Sequence, residues 1–135
     1  MSDIHTDAGE RVLTELDHVR LSRLGAGGLP PALAEALDLA DVVPSADVPA
    51  DTVTMYSQVL VRDARRDELR KVTLCYPHDA EPAQGFISVL SPLGASLLGA
   101  RAGARAAWRT PAGEEHVVTI ESILFQPEAS GDYTT

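Results

Sequence analysis

The run Phe86-Ile87-Ser88-Val89-Leu90-Ser91-Pro92-Leu93-Gly94-Ala95-Ser96-Leu97-Leu98-Gly99 decides how this chain folds. Phe86 to Leu90 is apolar apart from one serine and fits a short buried strand. Ser91-Pro92 then opens a helix of one to two turns. The serine hydroxyl caps free amides, and proline is tolerated at the first helical position, where its missing N–H is not needed. Leu93, Leu97 and Leu98 face inward, and Gly99 stops the helix.

The flanking sequence supplies a sheet for this helix to pack on. Upstream, Val53 to Arg62 reads as a strand, with Val53, Met55, Val59 and Val61 on one face and Tyr56 and Leu60 on the other. Glu68 to Tyr76 is a second strand in which Val72, Leu74 and Tyr76 alternate, and the charged stretch Asp63–Asp67 makes the pair a hairpin. Pro77 to Gln84 is a polar loop. Downstream, residues 104–109 and 116–126 form another hairpin. Its turn is Pro111-Ala112-Gly113, with Pro at i+1 and Gly at i+3 of a type I turn. The sum is α+β: an antiparallel sheet of four or five strands with one short helix on it.

Residues 1–45 follow a different period. Thr14 with Asp17 three residues later resembles a helix start, since a threonine oxygen accepts from the third amide and an acid suits the positive helix end. Leu13, Leu16, Val19, Leu21 and Leu24 are its apolar positions. Gly25-Ala26-Gly27-Gly28 breaks the helix, and Pro30-Pro31 opens another. Leu33, Ala36, Leu37, Ala40 and Val43 then recur at amphipathic helical spacing. Two helices with a short connection make a helical hairpin. The expected division is residues 1–50 for the hairpin and 51–135 for the sheet domain.

Composition narrows the possible functions. The 135 residues are about one domain's worth. No apolar run is long enough to span a membrane. The start Met1-Ser2-Asp3-Ile4-His5 lacks the basic and apolar regions of a signal peptide. A single cysteine, Cys75, excludes an internal disulfide and suits a reducing, cytoplasmic setting. Eleven basic against 20 acidic residues give a net charge of −9, poorly suited to duplex DNA, whose binding rests on cations displacing counterions. The one basic cluster, Arg62, Arg65, Arg66, Arg70 and Lys71, is interrupted by acids and reads as a solvated turn.

No catalytic constellation emerges. His78, Asp79 and Glu81 share a loop, but no second His or Cys follows at a ligand spacing. Cys75 reads as a packed thiol, His18 as a surface histidine, and His116 has no visible acid–base partner. The glycine run at residues 25–28 has no Lys and follows no strand, so it is not a phosphate loop. Trp108 reads as core or as stacked on its hairpin. No cofactor, metal or catalytic residue is expected.

Three segments are distinctive: Val53-Thr54-Met55-Tyr56-Ser57-Gln58-Val59, Ile87 to Gly99, and Phe125-Gln126-Pro127-Glu128-Ala129-Ser130-Gly131-Asp132-Tyr133. With Leu74, Tyr76 and Pro77 they resemble the Rnk family, the regulators of nucleoside diphosphate kinase, short relatives of the GreA/GreB transcript-cleavage factors. The resemblance spans residues 14–133. Ala104 and Ala112 depart from the family pattern, which often has an acid and a glycine there. The resemblance implies an FKBP-like C-terminal domain and a partner in core RNA polymerase, bound at the secondary-channel rim through Ser91, Pro92 and Leu93. Gre factors reach the polymerase active site with long coiled coils tipped by acids that help hold Mg²⁺. Here the expected tip, Gly25 to Pro30, has no carboxylate, and arms of about 12 residues reach only about 18 Å. The expectation is therefore a non-catalytic transcription regulator that competes with Gre-type factors without stimulating cleavage. The alternative is a regulator acting on nucleoside diphosphate kinase expression or activity. A prolyl isomerase is disfavoured because the few aromatics are scattered and form no lined pocket.

Overall fold

The computed structural model describes residues 11–24, 28–110 and 112–132. Gly25, Ala26 and Gly27 of the expected hairpin tip, Pro111 of the expected turn and Tyr133 lie outside the described residues. The fold is α+β. Strand β1 (Val12–Thr14) runs into helix α1 (Glu15–Leu24), followed by helix α2 (Pro31–Leu39) and strand β2 (Asp41–Val43). Strands β3 (Gln58–Asp63), β4 (Leu69–Cys75) and β5 (Phe86–Ser88) come next, then helix α3 (Pro92–Leu97) and the hairpin of β6 (Arg105–Arg109) and β7 (Glu115–Phe125).

The five-stranded sheet has the order β5-β4-β3-β7-β6. It is not wholly antiparallel: β5 runs parallel to β4, pairing Thr73 with Phe86 and Cys75 with Ser88. The chain must cross from the end of β4 back to its start, and two short 3-10 turns, Pro77–Asp79 and Pro82–Gln84, make that crossing compact. Val53, Met55, Val59 and Val61 are all buried, as their alternation predicts. Regular pairing nevertheless begins only at Gln58, because Tyr56 takes a left-handed φ of 66°. The charged turn forms as expected, with Asp63 Oδ1 accepting from the amides of Arg65 and Arg66 at 2.8 and 3.0 Å.

The N-terminal layer corrects the sequence reading at one end. Thr14 Oγ1 accepts from the Asp17 amide at 3.0 Å, so the predicted cap is in place. The second helix, however, stops at Leu39. Val43 belongs to β2, which pairs parallel with β1 (Val12 with Asp41, Thr14 with Val43). Three β-branched valines among Val12, Val42 and Val43 favour that extended conformation over a last helical turn. Val19 and Leu24 are 45% and 40% exposed, so the buried stripe of α1 is narrower than predicted. Leu13, Leu21, Leu33 and Leu37 join the sheet residues in one continuous core. Among the described residues no helix is long and apolar enough to cross a membrane.

Helix α3 is gripped from both ends. At its start, a Cβ on Gly94 would lie 2.0 Å from the Ser88 carbonyl oxygen, so only glycine lets the helix seat on the end of β5. At its end, the Arg11 guanidinium donates to the Ala95 and Leu98 carbonyls, both at 2.8 Å. A cation there also opposes the negative helix end. At Gly99, which has φ 77°, a Cβ would lie 3.1 Å from the Val12 carbonyl oxygen, and the Gly99 carbonyl accepts from the Val12 amide at 3.1 Å. Gly94→Ala is expected to destabilise the fold by about 3 kcal/mol, the upper end of overpacking costs. Urea denaturation checks this, and a loss below about 1 kcal/mol shows that the helix can shift to make room.

Candidate functional site

The residues that the sequence singles out lie at one end of the sheet, where β4 and β5 both finish. Ser91 is committed to holding α3. Its Oγ accepts from the Gly94 amide at 3.1 Å and donates to the Ser88 carbonyl at 2.7 Å. Pro92 is exposed, and Leu93 is half-buried rather than turned fully inward. Of the trio, Pro92 and Leu93 therefore offer surface, and Ser91 sets their position.

An aromatic cluster stands near the same strand ends. The Pro77–Asp79 turn packs beside β5. Tyr56 and Tyr76 have ring centroids 5.8 Å apart, and Tyr76 stacks on His78 at 6.3 Å and 9°. Tyr56 Oη donates to Asp79 Oδ2 at 2.6 Å. Burial first, and then this bond to Asp79, push the Tyr56 phenol well above its ordinary range. A bulky residue at positive φ is strained backbone of a kind that clusters at functional surfaces. His78 and Asp79 do come together, at 3.3 Å, but Glu81 does not complete a set with them. Among the described residues no group of three His, Cys, Asp or Glu side chains is placed to hold a metal.

Behind this end lies a buried polar junction that sequence reasoning missed. Asp17, 1% exposed, uses Oδ2 to accept from the Met55 amide at 3.1 Å. Glu128, 8% exposed, sits in the 3-10 turn Glu128–Ser130 that follows β7, and its Oε1 accepts from Thr54 Oγ1 at 2.7 Å. Ser57 Oγ receives the Thr54 amide at 2.9 Å. Gln126 Nε2 donates to the carbonyls of Pro49 (2.8 Å) and Thr52 (2.7 Å). The first and third distinctive segments are thus two sides of one contact. A signal for Asp17 was present: Asp17 and Leu21 stand four apart on α1, on the stripe that is buried. Nothing comparable marks Glu128.

The other candidates are structural. Cys75 is buried, and burial raises its thiol pKa. His18 is not a free surface histidine, since its Nε2 lies 3.1 Å from the Leu37 carbonyl and ties α1 to α2. His116 has partners after all: it stacks on Trp108 at 5.4 Å and 15°, with Glu114 at 3.6 Å. In the basic cluster, Arg62 pairs with Asp67 at 2.9 Å and with Glu121 at 3.1 Å.

This architecture, a curled sheet bearing one short capped helix and preceded by a small helical layer, is matched in known proteins. Residues 48–125 match the family described as "Transcription elongation factor, GreA/GreB, C-term". A GreA/GreB elongation factor from Nitrosomonas europaea superposes with a TM-score of 0.71 at 32% identity, over 86% of this chain and 98% of that one. The transcription elongation factor GreA of Solidesulfovibrio magneticus is 30% identical over 92 residues, covering 68% of this chain and 56% of its own. The "Regulator of nucleoside diphosphate kinase" of Escherichia coli strain K12 is 36% identical over 128 residues, 90% of this chain and 94% of that protein. The chain belongs to the GreA/GreB family, in its Rnk branch of nucleoside diphosphate kinase regulators. It is a regulatory protein and not an enzyme.

Gln126 is the hinge pin of the junction, since one amide satisfies the buried Thr52 carbonyl and the part-buried Pro49 carbonyl. Gln126→Ala is expected to cost about 1 to 2 kcal/mol by leaving the buried Thr52 carbonyl unpaired. Thermal and urea unfolding check this, and an effect below about 0.5 kcal/mol shows that water replaces the amide.

Proposed function

We propose that this chain regulates nucleoside diphosphate kinase by acting on RNA polymerase. The observation that carries the first half is the similarity to Escherichia coli Rnk, which runs through nearly the whole of both chains. The kinship with elongation factors supports the second half. In this reading residues 51–135 form an FKBP-like docking domain, and residues 1–50 form a hairpin too short for transcript cleavage.

The arms support that distinction. Helix α1 has ten residues and α2 has nine, reaches of about 15 and 14 Å, whereas a 30-residue arm spans about 45 Å. Gly25 to Pro30 brings no carboxylate to the tip, and helping to hold Mg²⁺ needs a hard oxygen ligand. Docked at the secondary-channel rim, the protein competes with longer Gre factors and adds no cleavage. Pro92 and Leu93 make the contact, with Ser91 as the cap that presents them.

Binding of the purified protein to bacterial core RNA polymerase, with GreB as competitor, tests the proposal. Displacement by GreB is the expected result. Leu93→Glu is expected to weaken binding at least about tenfold, the effect of a buried charge at an interface centre. Ser91→Ala is expected to cost about 1 kcal/mol of stability through the lost cap. No binding at tens of micromolar polymerase overturns the polymerase route. Capture of nucleoside diphosphate kinase by the same protein then makes it a direct adaptor on that enzyme.

A further inference from the structure

The junction holds two buried carboxylates that seize consecutive residues of one segment from opposite sides. Asp17 comes from α1 and binds the Met55 amide. Glu128 comes from the turn after β7 and binds the Thr54 hydroxyl. The N-terminal layer and the C-terminal turn thus meet across Thr54-Met55. Asp17 Oδ1 is buried and meets no donor among the described residues. An ionised carboxylate has room for about four hydrogen bonds, and this one receives few.

Glu128, Arg20 and Tyr76 act on its charge. Glu128 faces it across the junction and disfavours a second negative charge. Arg20, one turn along α1, favours that charge, but more weakly than burial opposes it. The Tyr76 phenol, at the end of β4, is held neutral by burial and by Asp17. The Met55 amide and the Thr14 hydroxyl bond to the carboxyl and favour its ionised form, but burial outweighs them.

We propose that Asp17 is a proton-operated latch between the helical layer and the sheet: carrying a proton it closes α1 onto Thr54-Met55, and losing that proton it loosens the contact. Burial, with Glu128 adding to it, pushes the Asp17 carboxyl up to about 7. The folded state therefore holds a proton that the unfolded chain releases at about pH 4. The stability from this group is complete below about pH 4 and is lost as the pH rises to about 7. The latch loosens toward alkaline pH, across the range where cellular pH varies. This inference does not depend on what the protein binds.

Carbon-detected NMR of the Asp17 carboxyl, with amide hydrogen exchange at Met55, reads the latch in the full chain between pH 5.5 and 8.5. The expected midpoint is near 7. Met55 protection, corrected for intrinsic exchange, is expected to fall about tenfold from pH 6 to 8. Asp17→Asn is expected to flatten that dependence while the core amides of β3 keep theirs. Glu128→Gln is expected to lower the midpoint by about one pH unit. A midpoint near 4, or an equal slope at Met55 in Asp17→Asn, overturns the proposal. Should Asp17→Asn fail to fold, the Glu128→Gln midpoint decides, and no movement overturns it.

Discussion

The rest of the molecule hangs on the close approach of one six-residue helix to the backbones at its two ends. Gly94 lets α3 sit on the Ser88 carbonyl, and Gly99 lets β1 slide against the turn that follows it. The helix is too short to be stable alone, since nucleation is costly and few bonds repay it. Its Ser91 cap, the Arg11 guanidinium across its last carbonyls and its buried leucines supply what propagation cannot. Because Arg11 and Val12 belong to the N-terminal layer, the same helix that completes the sheet also anchors the hairpin.

The second attachment is polar and works differently. Gln126, Glu128, Thr54, Ser57 and Asp17 tie three separate stretches of chain with directed bonds in a buried space. Apolar contacts there would tolerate slippage, whereas directed bonds between buried polar groups form in one arrangement and are costly to break in others. The anchor at α3 therefore supplies adhesion, and the junction supplies register between the layers.

Much of this was legible in the sequence, and the gaps have physical reasons. The β3–β4 and β6–β7 hairpins, the Ser91 cap, the Thr14 cap and the breaks at glycine and proline were all readable, because each depends on local backbone chemistry. The parallel pairings were not. Strand β5 carries no mark of its partner's direction, and the three residues of β2 continue a helical period from Leu33 to Val43 without interruption. The left-handed Tyr56 also lay hidden, since nothing in an alternating Val53-to-Val61 pattern announces a positive φ at an aromatic residue. Of the candidate site, the motif was legible but not its division of labour. Serine in Ser-Pro reads equally as contact or cap, and only the bond to Gly94 separates the two.

The parallel β1–β2 pair has a consequence for how such proteins vary. It fastens the strand before α1 to the strand after α2, so both helices lie on the body from one clasped base. Residues added between Leu24 and Pro31 leave that clasp, the α3 anchor and the polar junction untouched. Reach is therefore a dimension that the body of the fold leaves open. A lineage can lengthen or shorten its arm by whole helical turns and keep the same platform.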